Sequence, residues 1–292
     1  MPRYISPLRY PGGKARLAPF VATLLDRQRP RPTAYAEPFA GGAGAALHLL
    51  VAEEVDEIYI NDLNPGVAAF WRAAVTQPSD LCAKVLDAPV DLEAWHEARR
   101  VYALGTGTDL DLGFATFFLN RCNRSGILNA RPIGGLEQTG NWKIDARYNR
   151  DALAERIERI GRYSSRIHVS EQDARDFLVE LEASDAGART LVYVDPPYLG
   201  QGENLYLDSL SSEDHKQLAG HLTTSSLRWF LTYDADPRIP EQLYPGLPCV
   251  EFDIAHTAQV QHVGTEYAVF SPRLQNVPGR LLRNGETRAV AL

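Results

Sequence analysis

The sequence predicts an α/β fold, an open and mainly parallel sheet with helices on both faces, interrupted by one mainly helical insertion. Short apolar strands alternate with helical segments in the first 70 residues and again after residue 150. Between these regions the pattern changes to helical segments at 76–120 and then to an Asn-, Arg- and Gly-rich stretch at 121–150. Such alternation is typical of parallel sheets with covered faces. We therefore predict one domain from residues 1–70 and 151–292, with an inserted domain at 71–150.

The individual elements follow from apolar periodicity and from punctuation by Gly and Pro. Pro65, for example, is a favourable first residue for a helix because its missing N–H needs no partner there. The predicted helices are 15–25, 45–52, 65–75, 150–163, 174–181 and one that begins near 212. The predicted strands are 33–39, 57–61, 167–170, 190–194, 227–232, 249–254 and 266–270. The last two lie close together in the chain, so we expect an antiparallel pair at the edge of the sheet.

The composition is that of an ordinary globular protein, with 292 residues, of which 45% are hydrophobic and 23% are charged. It excludes a wholly disordered chain, and the length suffices for a sizeable core. The formal net charge of −7 argues against a protein that coats nucleic acid by bulk charge. A local basic groove remains compatible with that net charge, because binding depends on where charge lies.

The three cysteines, Cys82, Cys122 and Cys249, are widely spaced and form no CxxC pair or Cys/His metal spacing. This pattern predicts reduced thiols in a cytoplasmic protein that uses no metal. The basic N-terminal segment lacks the apolar stretch of a signal peptide. No apolar run approaches the roughly 18 residues that span a bilayer. We therefore expect a soluble cytoplasmic protein.

A glycine-rich turn follows the first strand, with Gly41, Gly42 and Gly44 after Glu37, and Asp62 closes the second strand. Glycines at such a junction let a ligand approach the backbone, and a helix N-terminus offers free N–H groups. A carboxylate at the end of the next strand accepts hydrogen bonds from ribose hydroxyls. The turn matches neither the GxGxxG fingerprint nor a P-loop. A nucleoside with a cationic or zwitterionic tail, such as S-adenosylmethionine, fits better; tight strand–helix packing is the alternative.

The second motif is Asp195, Pro196, Pro197 and Tyr198, directly after the buried strand 190–194. The exocyclic amine of adenine is a poor nucleophile because its lone pair is delocalised into the ring. A carboxylate that accepts its N–H, and a carbonyl held by rigid prolines, favour a more tetrahedral nitrogen, while a stacked tyrosine holds the amine in line. The base must first leave a duplex or already be single-stranded. A prolyl turn with an N-capping Asp is the alternative, which the preceding apolar strand and the following tyrosine disfavour.

Four motifs, taken in their order along the chain, resemble those of the Dam-like DNA adenine-N(6) methyltransferases. The resemblance extends over most of the chain. Tyr10-Pro-Gly-Gly-Lys14 resembles the family's N-terminal motif, 37–44 its S-adenosylmethionine loop, 61–64 its acidic ribose-binding motif and 195–198 its catalytic motif. The resemblance implies a Rossmann-like methyltransferase sheet, S-adenosylmethionine as methyl donor and adenine in DNA as acceptor. We predict donor contacts by Tyr10, Lys14, Glu37, Phe39, Gly41, Gly42, Gly44, Asp62, Asp173 and Asp195, and catalytic roles for Asp195, Pro196, Pro197 and Tyr198. For Asp173, capping of the helix that begins at Ala174 is an equally good explanation.

DNA recognition is expected in the insertion, where residues 118–121 and 125–127 resemble the family's target-recognition segment. Residues 120–150 include six basic and two acidic residues, with Asn, Gln and aromatic residues between them. That mixture suits phosphate contacts and the reading of base edges by Arg and Asn. We predict DNA contacts by Arg121, Asn123, Arg124, Arg131 and Lys143. The alternative is a solvated loop with ordinary surface arginines.

Two further loops bear on how DNA is bound. The loop between the last two strands is commonly basic in the family, but residues 254–264 contain two histidines and two glutamines and no Lys or Arg. This departure predicts weaker or pH-sensitive DNA contacts, or a different presentation of the substrate. Residues 199–212 form either a lid over the flipped base or a plain surface loop.

The leading hypothesis is therefore a site-specific DNA methyltransferase that acts on the exocyclic amine of adenine, after base flipping. Two alternatives stay open at this point. One is the same chemistry on RNA, and the other is a non-catalytic DNA-binding protein with a relict donor pocket. The intact turn at 195–198 and Lys14 argue against the relict.

Overall fold

The structure is a computed structural model that describes residues 5–10, 14–199, 210–256, 262–282 and 285–290. Its centre is an eight-stranded sheet in the order β3-β2-β1-β4-β5-β7-β6-β8. The first five strands of that order are parallel, and β7, β6 and β8 are antiparallel to their neighbours. The strands are β1 (Ala34–Glu37), β2 (Glu57–Asn61), β3 (Ile167–Ser170), β4 (Thr190–Val194), β5 (Arg228–Asp234), β6 (Cys249–His256), β7 (His262–Phe270) and β8 (Thr287–Ala289).

The strand order reverses between β1 and β4. From β1 the chain moves outward through β2 to β3, and it then returns to the other side of β1 to form β4 and β5. The loops after β1 and β4 consequently diverge and leave a crevice at the carboxyl ends of the strands, which is where open α/β sheets bind ligands. Glu37 ends β1 and Asp195 follows β4 directly, so both predicted motifs border this crevice.

Helices cover both faces of the sheet. They are α1 (Ala18–Arg27), α2 (Gly44–Val51), α3 (Pro65–Thr76), α4 (Pro78–Asp87), α5 (Leu92–Leu104), α6 (Asp109–Cys122), α7 (Arg150–Gly161), α8 (Ala174–Ala183) and α9 (Ser212–Thr224). Several begin at a side-chain cap that the sequence already contains: Asn64 accepts from two N–H groups at the start of α3, and Ser211 forms a capping box with Asp214 on α9. These caps satisfy N–H groups that have no partner within the helix.

Apolar side chains of the central strands alternate between two buried clusters. In β4, Leu191 and Tyr193 belong to one cluster, and Val192 and Val194 belong to the other. This alternation places successive side chains on opposite faces of a sheet that is covered on both sides. The larger cluster continues from the sheet into residues 71–150, where it includes Trp95, Phe117 and Tyr148. None of the helices in the described ranges is long and apolar enough to cross a membrane.

The predicted fold class is confirmed, with differences in detail. Strands 57–61, 167–170 and 190–194 have the predicted bounds, and the antiparallel β6–β7 pair is present. The predicted helix at 15–25 instead begins as a 3-10 turn, Lys14–Leu17, before α1. Strand β8 was not predicted, because three residues with intermediate or exposed side chains carry no periodic signal. The division into two domains stays a prediction.

Candidate active site

The carboxylate of Asp195 is held from two sides at the carboxyl end of β4. Its Oδ1 accepts hydrogen bonds from Lys14 Nζ and from Thr232 Oγ1, each at 2.9 Å. Thr232 lies on the neighbouring strand β5 and also contacts the Tyr193 hydroxyl at 2.7 Å. Among the described residues, both hydrogen bonds of this carboxylate are made by Oδ1. No contact from the described part of the chain is seen at its second oxygen, Oδ2.

Glu266 joins Tyr198 and Lys14 into the same cluster. The Tyr198 hydroxyl donates to Glu266 Oε1 at 2.6 Å, and Lys14 Nζ lies 3.3 Å from Glu266 Oε2. Lys14 Nζ also lies 5.7 Å from the centre of the Tyr198 ring. The side chains of Lys14 and Glu266 are 5% and 1% exposed, whereas that of Asp195 is 26% exposed. The cluster is thus buried at its base and open at Asp195.

The charges in this cluster shift the pKa values of its members. Burial alone lowers the pKa of the Lys14 ammonium, but the charges of Asp195 and Glu266 outweigh it and raise that pKa above its usual value. Burial raises the pKa of the Tyr198 phenol, and Lys14 opposes part of the rise. Burial likewise raises the pKa of the Glu266 carboxyl against the charge of Lys14. Lys14 therefore stays charged and Tyr198 stays a hydrogen-bond donor at neutral pH.

Sequence reasoning missed both Glu266 and Thr232. The sequence analysis predicts a strand that begins at Glu266 and assigns its side chain no role. Strand β7 in fact begins at His262 and runs antiparallel to β5. The N-terminal half of β7 therefore lies at the same end of the sheet as the carboxyl end of β4. A charged residue beside the apolar run of a central strand was the available signal, since such residues are rarely buried without a partner.

The glycine turn after β1 requires glycine for steric reasons. Gly41 has a φ of +45°, and a Cβ added there would lie 2.7 Å from Cε1 of the Tyr10 ring. Gly42 faces the same ring, with a Cβ position 3.5 Å from Tyr10 Cβ. The Gly41 carbonyl accepts from the Trp71 indole at 2.9 Å. Tyr10 is thus packed against the turn, and the assignment of both to a donor site stays a prediction.

Two carboxylates flank this turn. Asp62 Oδ2 accepts from Gly41 N–H at 2.8 Å, and its Oδ1 accepts from Asn64 N–H at 3.0 Å. Glu37 is buried, and its Oε1 accepts from Ala46 N–H at 2.9 Å. Burial raises the pKa of Glu37 to about 8, and the nearby charge of Asp195 adds to the rise.

The remaining predicted donor residues have mainly structural contacts. Gly44 is the first residue of α2, with a Cβ position 3.1 Å from Ala15 Cβ, and Phe39 packs partly buried against the second cluster. Asp173 caps α8 by accepting from Arg175 N–H at 2.8 Å, and it is also paired with the Arg175 guanidinium at 2.7 Å. The capping explanation of Asp173 is therefore present in the structure.

Asn61 links the loops at this sheet edge, and the sequence analysis did not single out its side chain. It is buried at the end of β2, and its amide donates to the carbonyls of Pro38 at 2.9 Å and Gln172 at 3.0 Å. Its Oδ1 accepts from Ser170 Oγ at 2.8 Å. One side chain thereby ties together the chain after β1, β2 and β3, and fixes the floor of the crevice.

Two of the predicted DNA contacts are used inside the protein. Arg121 is buried and donates to the carbonyls of Arg147 at 3.0 Å and Pro7 at 3.3 Å. Asn123 is fully buried, where it accepts from the Trp95 indole at 2.7 Å and donates to the carbonyl of Ile127 at 2.9 Å. In this arrangement neither side chain faces a DNA ligand, so the surface that we propose below does not include them.

The other three predicted DNA contacts, Arg124, Arg131 and Lys143, are exposed. The segment that carries them is held by Gln138, which is partly buried. The Gln138 amide donates to the carbonyls of Ile133 and Gly135 and accepts from Ile144 N–H at 2.9 Å. Trp142, beside Lys143, is 73% exposed. The segment thus presents cations and one aromatic ring to solvent on a fixed backbone.

The end of α6 positions the N-terminal segment. Asn120 accepts from Arg9 N–H at 2.7 Å and donates to the Arg9 carbonyl at 2.7 Å. Gly126 has a φ of +79°, and a Cβ there would lie 2.6 Å from the Arg9 carbonyl oxygen. The segment predicted to recognise the target is therefore in direct contact with the residue before Tyr10.

Some predicted features lie outside the described residues. They are residues 200–209 of the suggested lid, residues 257–261 of the histidine-containing loop, and residues 11–13 of the N-terminal motif. Among the residues that are described, no group of three or more His, Cys, Asp or Glu side chains is arranged to hold a metal ion.

A glycine turn after β1 and an acidic Pro-Pro-Tyr turn after β4, on either side of the switch point, define a Rossmann-like methyltransferase. The family model described as "D12 class N6 adenine-specific DNA methyltransferase" matches residues 10–230. The chain belongs to this family and is an enzyme that methylates adenine in DNA. RNA as substrate and a non-catalytic role are not favoured. No curated protein matches the chain.

Proposed function

We propose that the chain transfers the methyl group of S-adenosylmethionine to N6 of an adenine that has been flipped out of duplex DNA into the crevice between β1 and β4. The observation that carries this proposal is the asymmetry of Asp195. Its Oδ1 is occupied by Lys14 and Thr232 at 2.9 Å each, and its Oδ2 is left for the amine. A carboxylate fixed through one oxygen presents the other in a defined direction, which is the requirement for orienting a weak nucleophile.

Asp195 and the proline turn act on the nucleophile. Oδ2 of Asp195 accepts an N–H of the amine, and the carbonyl of Pro196 accepts the second. Together they favour a more tetrahedral nitrogen with an available lone pair, and the Tyr198 ring stacks on the purine. S-adenosylmethionine, when bound, would supply the methyl group on a sulfonium; the carbon–sulfur bond breaks as N6 bonds to the methyl carbon, S-adenosylhomocysteine leaves, and the methylated amine releases one proton to solvent. Lys14 stays charged and holds Oδ1 of Asp195 by a hydrogen bond of 2.9 Å.

The residues around the glycine turn fit such a donor. Asp62 and Glu37 lie beside a turn in which Gly41 is sterically required by the Tyr10 ring. Asp62 is suited to the ribose hydroxyls. We assign donor binding to Tyr10, Lys14, Glu37, Phe39, Gly41, Gly42, Gly44, Asp62, Asp173 and Asp195.

The exposed segment that carries Arg124, Arg131 and Lys143 contacts the DNA backbone in this proposal. The chain as a whole has a net charge of −7, so DNA is attracted by local charge and not by the whole surface. The exposed Trp142 adds a ring that can stack on an unpaired base.

The cysteines are buried free thiols, which supports a reducing, cytoplasmic location.

The test is methyl transfer from tritiated S-adenosylmethionine to unmethylated duplex DNA, single-stranded DNA and RNA. The proposal predicts label in duplex DNA, recovered after hydrolysis as N6-methyladenine. Label recovered as N4- or 5-methylcytosine, or incorporated into RNA alone, would contradict it. Single-molecule sequencing of the product then identifies the sequence around each modified adenine.

A further inference from the structure

Glu266 is the most deeply buried charged side chain of the active-site cluster, and the function proposed above assigns it no part in binding donor or base. It comes from β7, outside the segment 10–230 that matches the family. Its side chain is 1% exposed. Burying a carboxylate is costly unless it is paired and hydrogen-bonded. The structure supplies both, through Lys14 at 3.3 Å and Tyr198 at 2.6 Å.

The geometry of these two contacts points to a role in alignment. Lys14 lies between the two carboxylates, 2.9 Å from Asp195 and 3.3 Å from Glu266. Tyr198 lies three residues beyond Asp195, past two prolines, and its hydroxyl is fixed by Glu266. Glu266 thus restrains the ammonium that orients Asp195 and, separately, the ring that would stack on the base.

We propose that Glu266 is a positioning residue for methyl transfer. It holds Lys14 and Tyr198 so that Oδ2 of Asp195 and the Tyr198 ring contact the adenine at the same time and in the correct orientation. Without its charge, the Lys14 ammonium keeps Asp195 and the Tyr198 hydroxyl, at 2.9 and 3.5 Å, but loses one of its two anionic partners among the described residues. Without its hydrogen bond, the Tyr198 ring loses its restraint at the hydroxyl. This inference rests on the proposed function, because the orientation of Asp195 and Tyr198 matters only if a base enters the crevice.

The experiment compares Glu266→Gln and Glu266→Ala with wild type in tritiated methyl transfer to unmethylated DNA. Glu266→Gln keeps an acceptor for Tyr198 and loses the charge, whereas Glu266→Ala loses both. We expect kcat to fall about 10- to 100-fold for Gln and further for Ala, a scale set by loss of one charged hydrogen bond. The donor Kd, from calorimetry, should change less than about threefold. Glu251 on β6 is half-buried and pairs with Arg288 on β8; Glu251→Gln is the matched control and should keep wild-type kcat.

A double-mutant cycle separates positioning from simple loss of structure. If Glu266 acts through Tyr198, Tyr198→Phe should cost less in the Glu266→Ala background than in wild type, because the hydroxyl has already lost its partner. Additive effects, or wild-type kcat in folded Glu266 variants, would overturn the inference. Loss of donor binding in step with the fall in melting temperature would also overturn it. A wild-type protein that fails to methylate DNA would instead refute the proposed function.

Discussion

At the residue scale, one oxygen of the Asp195 carboxylate is held by the fold and we assign the other to the substrate. Oδ1 is fixed by an ammonium and a hydroxyl, and the proposed function gives Oδ2 to the adenine amine. The cation of this arrangement comes from residue 14 and the hydroxyl from residue 232, so the carboxylate is oriented only when distant parts of the chain have folded together. Orientation of this kind costs nothing at the moment of reaction, because the fold has already supplied it.

Thr232→Val removes one of the two groups that fix Asp195 while keeping the shape of the side chain. We expect kcat for methyl transfer to fall about 3- to 30-fold, the scale of one hydrogen bond, with donor affinity unchanged. Steady-state assays at saturating donor measure this. Thr224→Val, on α9, loses a hydroxyl bonded to backbone carbonyls and serves as the control. A Thr232→Val enzyme with wild-type kcat would show that Lys14 alone orients the carboxylate.

At the element scale, the glycine turn and the N-terminal segment form one unit. Gly41→Ala places a Cβ 2.7 Å from the Tyr10 ring at a φ of +45°, so the ring must move away from the turn. We expect the donor Kd to rise about tenfold or more, measured by calorimetry. Gly220→Ala, on α9 with nothing within 4 Å of the added Cβ, should keep the affinity and raise stability slightly. Equal donor affinity in Gly41→Ala would remove Tyr10 from the donor site.

The elements that the sequence predicted are those whose signal is local. Strand 57–61 and helix α7 carry apolar periodicity within a few residues, and Asp195 and Tyr198 stand next to a recognisable strand. Thr232 and Asn61 carry no local signal, because their importance comes from neighbours across the sheet. Glu266 carries only one, a charged residue beside the apolar run of a strand. For the same reason Arg121 and Asn123 looked like exposed recognition residues, whereas the fold turns them inward onto backbone carbonyls.

At the scale of the whole molecule, an acidic protein must bind a polyanion through a small basic surface. Replacing Arg124 and Arg131 together with Gln removes two exposed cations from that surface. The slope of log K against log salt should shrink by about two, because each phosphate contact contributes roughly one unit. Fluorescence anisotropy with duplex DNA at several salt concentrations measures the slope. Arg238→Gln, whose partner is Asp236, is the control; an unchanged slope in the double variant would place DNA elsewhere.

The stability of the molecule should also depend on Glu37. Its pKa is 4.5 ordinarily and about 8 in the fold, because of burial. Between these values the folded state keeps a proton that the unfolded chain has released, so stability is fully present below the lower value and falls as pH rises through the window. The contribution is at most about 1.4 kcal/mol per pH unit. The free energy of unfolding, measured with urea, should therefore fall less between pH 4.5 and pH 8 in Glu37→Gln than in wild type. The exposed-site control Glu241→Gln should behave like wild type. An equal loss in all three would mean that Glu37 is ionised in the fold.

The most direct test of the account is single-turnover methyl transfer by Asp195→Ala, with donor and DNA binding measured on the same preparation. The account predicts that the variant binds DNA with an affinity close to wild type and S-adenosylmethionine with an affinity lowered about tenfold by the loss of one contact. Transfer to adenine should slow by roughly 10³-fold or more, since orientation and acceptance of the amine are lost together. Transfer at the wild-type rate by a folded Asp195→Ala enzyme would contradict it.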